Sequence, residues 1–208
     1  VDSLDHPKPH GTGATEGTVL GPFHTHEARD VPHGEMISRD GEGEPMLVVG
    51  TVKNTRGEAI SGCKVYVWET DSKGFYDVQY EGYENPDGRA VVRSDEAGGF
   101  YFRAIVPVPY PFPGDGPVGR LLTTLGRHRY RPSHFHFMAL YLRGDPFERS
   151  DAVFGVKKSL IVDLGTVSDV DGLAEKYGVE PSTRLLTYDF VLVSEEEVKA
   201  LRESKARE

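Results

Sequence analysis

The sequence has little cysteine and no long apolar run. Cys63 is the only cysteine among 208 residues, so no disulfide can form within the chain, and this count fits a reducing compartment. No stretch approaches the roughly 18 consecutive apolar residues that a membrane span needs, and the N-terminus lacks a basic segment followed by an apolar run. We therefore expect a cytoplasmic protein without membrane insertion.

Basic residues are also scarce. The chain has 24 Lys and Arg against 33 Asp and Glu, which gives a net charge of -9. It has no Lys- and Arg-rich stripe that could neutralise phosphates, so nucleic acid is not expected as a partner. With 38% hydrophobic residues, a chain of 208 residues is long enough to bury one hydrophobic core.

Strand signals dominate from Met46 onward. Short runs rich in Val, Tyr, Phe and Trp alternate with Gly, Pro, Asn and Asp, a pattern typical of antiparallel strands joined by turns. Helices are predicted only near Ser168–Tyr177 and from Ser194 onward, where Ser194 and Glu197 form a capping-box pattern. The expected fold is all-β, an antiparallel β-sandwich with long loops and one or two short helices. The predicted strands are Met46–Val52, Lys64–Thr70, Phe100–Ile105, Ser133–Leu142, Ser159–Asp163 and Leu185–Val193.

Two histidines alternate with phenylalanines in one predicted strand, in the segment Arg131–Phe137. Because successive side chains of a strand point to opposite faces, His134 and His136 share one face and Phe135 and Phe137 the other. Two imidazoles at this spacing can bind one metal ion, but neutral imidazole suits iron, zinc, copper and nickel alike. The alternative is a pair of polar residues on the solvent face of a strand.

Two tyrosines occupy unusual settings. Tyr76 follows a predicted strand in Gly74-Phe75-Tyr76-Asp77, and Tyr110 lies in the proline-rich segment Pro107–Pro113. Prolines stiffen the backbone on both sides of Tyr110, which suits a fixed ligand position. The alternative is an aromatic residue at the rim of the core, a common place for tyrosine.

These motifs together resemble the intradiol ring-cleavage dioxygenases, most closely the hydroxyquinol 1,2-dioxygenases, over nearly all of the chain from Val1 to about Asp163. The segments that resemble hydroxyquinol enzymes most closely are Tyr76-Asp77-Val78-Gln79, Val106–Pro111 and Ser150–Lys157. The stretches that carry the family resemblance are Gly17–Phe23, Val65–Trp68, Gly74–Gln79, the Pro-Tyr-Pro segment with Asp115–Gly119, Gly126-Arg127-His128 and Arg131–His136.

The resemblance implies a non-haem Fe(III) cofactor with Tyr76, Tyr110, His134 and His136 as its ligands. It also implies that Tyr110 is displaced as a phenol when the substrate chelates the metal, and that Arg131 faces the substrate. The implied reaction is intradiol cleavage of hydroxyquinol (benzene-1,2,4-triol) by O2, giving maleylacetate. A surface salt bridge is the alternative for Arg131.

The resemblance divides the chain into an N-terminal arm with a pocket loop, residues 1–45, and a catalytic β-sandwich, residues 46–208. The family places substrate-binding residues at Asp2 and in the loop Val19, Leu20, Gly21 and Pro22. Typical members carry a helical segment before the position of Val1 that builds a dimer interface, so a homodimer is implied. They also have a longer hairpin where this chain has only Phe137–Arg143.

Other interpretations remain open. Catechol or chlorocatechol, cleaved to cis,cis-muconates, is the alternative substrate. A non-catalytic transthyretin-like binding module would share the turn and strand segments but would not need the tyrosines and histidines. A hydrolytic zinc enzyme would need a general base, and no Glu or Asp lies near the histidine motif. A second histidine pair, His24 and His26, lies in a loop with no strand pattern to orient it.

Overall fold

The computed structural model describes residues 13–82 and 84–205. The described residues form three α-helices: α1 (Pro117–Thr124), α2 (Leu173–Tyr177) and α3 (Glu195–Lys205). Single 3-10 turns lie at Asp77–Gln79, Lys158–Leu160 and Val167–Asp169. The strands are β1 (Arg29–Val31), β2 (Pro45–Asn54), β3 (Lys64–Trp68), β4 (Arg89–Arg93), β5 (Gly99–Ile105), β6 (Tyr110–Pro111), β7 (Tyr130–Arg131), β8 (His134–Phe135), β9 (Leu140–Leu142), β10 (Ile161–Val162), β11 (Gly165–Thr166) and β12 (Arg184–Leu192).

Two sheets face each other, which confirms the predicted β-sandwich. One has the order β11-β12-β2-β5 and the other β1-β4-β3; two smaller sheets, β10-β9-β8 and β6-β7, extend the structure on the side of the histidines. Not every pairing is antiparallel, since β12 runs parallel to β2, β1 to β4 and β10 to β9. The core between the sheets is built from inward-facing residues of both, including Val48, Val67, Val92, Phe102 and Leu186.

Strand β2 is the centre of the larger sheet, and its sequence explains why. Met46, Leu47 and Val48 are consecutive and all buried, so both faces of the strand are covered. Met46 and Val48 point into the core between the sheets. Leu47 points the other way and packs with Val167 and Leu185 beneath the first residues of α2. A continuous apolar run is typical of a strand buried on both faces.

The sequence predicts a single strand over Ser133–Leu142, and this prediction was wrong. The chain forms β8, turns at residues 137–139 and returns as β9, with His134 opposite Tyr141 and Phe135 opposite Leu140. The turn is apolar because Phe137 packs against the core, and this apolar character made the turn look like a continuation of the strand. The chain therefore gains a short hairpin whose two arms both carry side chains into the same region.

The number of helices was also underestimated. Helix α1 begins with Pro117 in its first turn, after Gly116 as the N-cap residue. Proline is favoured at the first helical position because its missing N–H would have no partner there and its φ angle is already helical. This start signal lies within a segment dominated by turn residues. None of the helices in the described part of the chain is long and apolar enough to cross a membrane.

We expect Gly50→Ala to destabilise the sandwich. Gly50 in β2 lies opposite Phe100 in β5, and a Cβ atom added at position 50 would lie 2.3 Å from Cζ of the buried Phe100 ring. Overpacking of this kind costs about 1–3 kcal/mol of unfolding free energy. Urea unfolding followed by Trp68 fluorescence measures it, with Gly41→Ala, where a Cβ meets open space, as the control. Equal unfolding midpoints for the two variants would contradict the close packing of the Phe100 ring on Gly50.

Candidate metal centre

His134 of β8 and His136, which directly follows this strand, point into the same buried space. His134 and His136 are 2% and 4% exposed, and their Nε2 atoms lie 3.0 Å apart. Phe135, between them, points to the opposite side and is fully buried in the core. The alternation of the strand therefore separates a polar face from an apolar one, and the solvent-face alternative for this pair was wrong.

Both imidazoles are suited to bind a metal ion in their neutral form. Nδ1 of His134 lies 2.7 Å from the carbonyl oxygen of Pro132. Because a carbonyl can only accept, Nδ1 carries the hydrogen and Nε2 presents its lone pair to the space shared with His136. Burial lowers the pKa of His134 to about 3 and holds the pKa of His136 well below its ordinary value. Neutral imidazole is the form that binds metals.

Tyr76 is brought to this space by the turn that follows β3. Gly74 has a φ of 83°, and a Cβ atom there would lie 3.2 Å from Cβ of Tyr110, so glycine permits both the turn and the close approach of the two loops. The backbone N–H of Tyr76 donates to Oε1 of Gln79 at 2.9 Å. The ring is fully buried, and its hydroxyl has no hydrogen-bond partner among the described residues.

Tyr110 completes a group of four rings. Its ring centroid lies 5.4 Å from that of Tyr76, at an angle of 87°, and 5.5 Å from that of His134. The Tyr76 and His136 centroids are 6.1 Å apart. Burial raises the pKa of the Tyr76 phenol well above its ordinary value, and the neighbouring Tyr110 adds to this effect. A cation among the four rings would reverse that balance, because a bound metal favours the deprotonated donor.

Arg131 lies beside this group and is buried. It is opposite Tyr110 in the β6-β7 pair, and its Nη1 donates to Tyr110 Oη at 3.5 Å and to His134 Nε2 at 3.2 Å. Its Nε lies 3.3 Å from Oδ1 of Asp151, whose side chain is 2% exposed. The alternative interpretation of Arg131 as part of a surface salt bridge was therefore wrong, because its pair with Asp151 is buried. Burial alone would lower the pKa of Arg131, but Tyr110, Tyr141 and Asp151 raise it, so the guanidinium stays charged.

A second buried ion pair lies behind Tyr76, and sequence analysis missed it. Arg89 of β4 donates from Nε to Oδ2 of Asp77 at 2.7 Å and makes a further short contact from Nη2 to Oδ1. Its Nη1 donates to the carbonyl oxygen of Phe23 and to Oγ1 of Thr25, both at 3.2 Å. Phe23 in turn stacks on Tyr76, with 4.6 Å between ring centroids. Arg89 thus ties the loop that covers Tyr76 to the residue that follows Tyr76.

Trp68 supports His136 from the other side. Its indole is stacked on the imidazole with 4.5 Å between centroids and 7° between planes. The backbone of His136 also pairs with that of Trp68, at 3.1 Å and 3.2 Å. Trp68 is the last residue of β3, and no local sequence signal links it to a histidine 68 positions later. The pairing of distant strands places it there.

The predicted substrate loop lies at the surface. Val19 and Leu20 are 75% and 55% exposed, and Gly21 and Pro22 are also exposed. They directly precede Phe23, the residue stacked on Tyr76. Leu20 also lines a cavity of about 240 Å³ with Trp68 and His24. Asp2 lies outside the described residues.

The rival histidine pair is less well placed for a metal. The His24 and His26 rings are 5.1 Å apart in an edge-to-face arrangement, and His26 is exposed. Across the described segments, no group of three or more His, Cys, Asp or Glu side chains is arranged to hold a metal ion. A centre built from two histidines and two tyrosines does not need such a group.

Comparison with known proteins identifies the family. Residues 19–194 match the sequence model of a protein family whose description is Dioxygenase. The intradiol ring-cleavage dioxygenase hqdA of Aspergillus niger is 58% identical over the whole of this chain. The chain belongs to the intradiol ring-cleavage dioxygenase family.

Two further matches agree. The hydroxyquinol 1,2-dioxygenase of a Rhizobium species is 43% identical over 92% of this chain and 68% of its own length. The crystal structure of hydroxyquinol 1,2-dioxygenase from Pseudomonas putida has a TM-score of 0.82 and 35% identity, over 93% of this chain and 71% of that one. This intradiol dioxygenase chain spans 65% of the length of the Aspergillus niger relative.

Intradiol dioxygenases generally depend on a non-haem ferric ion, and the four rings fit one. Phenolate oxygen is a hard anionic donor suited to a trivalent metal, and imidazole suits iron. The fit rests on two observations: the Tyr76 hydroxyl is buried without a hydrogen-bond partner, and two neutral imidazoles face each other with Nε2 atoms 3.0 Å apart. Buried polar atoms are nearly always hydrogen-bonded, so the unpartnered hydroxyl of Tyr76 points to an absent partner.

We expect Asp77→Asn to destabilise the protein, because it leaves Arg89 buried without its counter-ion. The two side chains are 5% and 3% exposed, and breaking such a pair costs about 3–5 kcal/mol. The matched control is Asp163→Asn, which breaks an exposed pair with Arg143 and should cost less than about 1 kcal/mol. Denaturant unfolding at pH 7 measures both changes. Similar losses of stability for the two variants would contradict a stabilising role of the buried ion pair between Asp77 and Arg89.

The same pair should make stability depend on pH. Burial alone would raise the pKa of Asp77, but hydrogen bonds from Arg89 and from the Asp87 amide lower it. A carboxyl with a lowered pKa in the folded state stabilises the fold above its unfolded pKa, about 3.9, and loses this contribution as the pH falls through the folded pKa. The difference between wild type and Asp77→Asn should therefore be present at pH 7 and shrink in acid.

Proposed function

We propose that this chain is the catalytic part of a dioxygenase that cleaves hydroxyquinol between its two adjacent hydroxylated carbons. The products balance, because hydroxyquinol and O2 together supply all the atoms of maleylacetate, with both oxygen atoms retained in the product. The single observation that carries the proposal is the convergence of two buried tyrosines and two buried histidines with a buried arginine beside them.

Tyr76, Tyr110, His134 and His136 would hold a non-haem Fe(III). The ferric ion, when bound, lowers the pKa of a chelating diol and supplies the redox chemistry that lets O2 react with the ring. The donor atoms would be the two phenolic Oη atoms and the two Nε2 atoms. The hydrogen bond from Nδ1 of His134 to the carbonyl oxygen of Pro132 supports this assignment, because it places the ring hydrogen on Nδ1 and leaves a lone pair on Nε2, the atom that faces Arg131 and His136.

The two tyrosines are unequal, and this difference suggests separate roles. Tyr76 is enclosed, with Phe23 stacked on its ring and no alternative partner for its hydroxyl among the described residues. Tyr110 has an alternative partner, because Nη1 of Arg131 already reaches its Oη. Tyr110 is therefore the phenol that would take up a substrate proton at Oη and move aside, while Tyr76 stays in place.

Arg131 would be the catalytic residue that faces the negative charge of the bound diol. Its guanidinium is charged and buried, with Asp151 as its counter-charge, so it would need little reorganisation when charge develops on the substrate. Phe23 and Trp68 cover two sides of the four-ring group and would limit the access of water. The loop Val19–Pro22, which leads into Phe23, and Asp2 remain the proposed substrate contacts.

Hydroxyquinol is proposed over catechol and chlorocatechol because the motif segments resemble hydroxyquinol enzymes more closely. Relatives named hydroxyquinol 1,2-dioxygenase are also 41–43% identical to this chain, whereas relatives named catechol 1,2-dioxygenase are 30% identical. A homodimer and a cytoplasmic location are also proposals. The single cysteine, Cys63, fits a reducing compartment. The dimer rests on the family resemblance alone.

We expect purified protein supplied with iron to bind about one ferric ion per chain and to absorb visible light, because tyrosinate bound to ferric iron does so. Tyr76→Phe removes one donor oxygen and should abolish the absorption band or the bound iron. Tyr66→Phe is the control, since Tyr66 lies in β3, the strand before the turn to Tyr76, and is 36% exposed. Metal analysis and a visible spectrum decide the matter. An unchanged spectrum in Tyr76→Phe would refute this ligand assignment.

The substrate is tested by turnover. We expect kcat/KM for hydroxyquinol to exceed the values for catechol and for chlorocatechol by at least about 10-fold, since a hydrogen bond to the third hydroxyl contributes about that much. Oxygen uptake and the identity of the ring-opened product are the measurements. A preference for catechol, with cis,cis-muconate as product, would leave the enzyme class intact and overturn the proposed substrate.

A further inference from the structure

Arg131 is held on its outer side by a residue that sequence analysis did not select. Nη2 of Arg131 donates to the hydroxyl of Tyr141 at 2.8 Å, the shortest hydrogen bond of this guanidinium in the described structure. Nη1, on the other branch of the guanidinium, faces Tyr110 and His134. Tyr141 is 1% exposed, so this contact is made away from bulk water.

The register of the short hairpin places Tyr141 there. In the β8-β9 pair, Tyr141 is directly opposite His134. Directly opposite residues of an antiparallel pair project on the same face, so the tyrosine must lie on the polar side with the histidine. The two ring centroids are 5.2 Å apart. The turn at residues 137–139 fixes this register, and with it the position of the hydroxyl.

Asp151 does not fix the guanidinium by itself. Its oxygens lie 3.3 Å from Nε and 3.4 Å from Nη2 of Arg131, longer than the roughly 2.7–2.9 Å of a strong charge-assisted hydrogen bond. The same carboxylate also accepts the backbone N–H of Gly155 at 2.8 Å and that of Val153 at 3.3 Å. Asp151 therefore supplies the counter-charge, but much of its hydrogen bonding is directed to its own turn.

The packing at Gly155 leaves little room for a substitute. A Cβ atom at position 155 would lie 3.0 Å from Nη2 of Arg131, 3.2 Å from the Tyr141 hydroxyl and 3.2 Å from Oδ2 of Asp151. A water molecule that replaced the tyrosine hydroxyl would need space and polar partners of its own. Of the two described groups that accept from Nη2, the Tyr141 hydroxyl at 2.8 Å is nearer than Oδ2 of Asp151 at 3.4 Å.

We propose that Tyr141 is a positioning residue for Arg131. Its hydroxyl accepts a hydrogen bond from Nη2 and so orients Nη1 toward Tyr110 and His134. This inference rests on the proposed function, because it assumes that Arg131 acts on the bound diol. Without the hydroxyl, the guanidinium would turn toward Asp151 and away from the four-ring group.

The test is Tyr141→Phe, which removes one oxygen atom and keeps the ring. We expect kcat for hydroxyquinol to fall about 10- to 100-fold, the loss typical of a hydrogen bond to a charged group. Iron content, the visible spectrum and the unfolding midpoint should match wild type. Tyr188→Phe is the control, because its hydroxyl donates to the carbonyl of Ser159 at 3.3 Å, away from the four rings. It should leave kcat unchanged.

A double-mutant cycle separates positioning from a general structural effect. In an Arg131→Ala background, Tyr141→Phe should cause no further loss of kcat, because there is no guanidinium left to orient. Independent losses that multiply would overturn the inference. So would a kcat of Tyr141→Phe equal to wild type, or a loss of iron that parallels the loss of rate.

A crystal structure of Tyr141→Phe tests the inference without relying on activity. We expect the distance from Nη1 of Arg131 to Oη of Tyr110 to lengthen, with the guanidinium rotated toward Asp151. An Arg131 side chain in its wild-type conformation would overturn the proposal even if the variant were slow. A protein that turned over none of the diols would instead refute the proposed function, and the crystal structure would still decide whether Tyr141 orients Arg131.

Discussion

The burial of four polar rings around one space is the constraint on which the rest of this structure depends. Tyr76, Tyr110, His134 and His136 are each at most 4% exposed, and the Tyr76 hydroxyl has no partner among the described residues. An unsatisfied buried polar group costs about 1–3 kcal/mol. The fold can maintain such a cluster only because the surrounding elements hold every backbone segment that delivers a ring.

The support is electrostatic on two sides and aromatic on the others. Asp77 and Arg89 hold the segment after Tyr76 and tie it to the loop of Phe23, whereas Asp151 compensates the charge of Arg131. Both ion pairs are buried, so each is strongly destabilising if one partner is lost. A buried polar group without a partner, at a centre with strong support around it, is typical of a functional site.

Local patterns predicted the parts of the site that lie within one segment. The alternation of His134 with Phe135 predicted a shared face for the histidines, and the prolines around Tyr110 marked a stiff segment. What could not be predicted was proximity between segments: Arg89 reaches Phe23 across 66 positions, and His136 stacks on Trp68, which lies in the distant strand β3. The register of the short hairpin, which brings Tyr141 to Arg131, was hidden by the apolar turn that looked like strand.

The central claim is that the four rings are the ligands of one iron ion, and an anomalous difference map at the iron absorption edge tests it most directly. Crystals of the iron-loaded protein should show one strong peak in contact with Oη of Tyr76 and Tyr110 and with Nε2 of His134 and His136. A peak beside His24 and His26, or the absence of any peak among the four rings, would contradict the account.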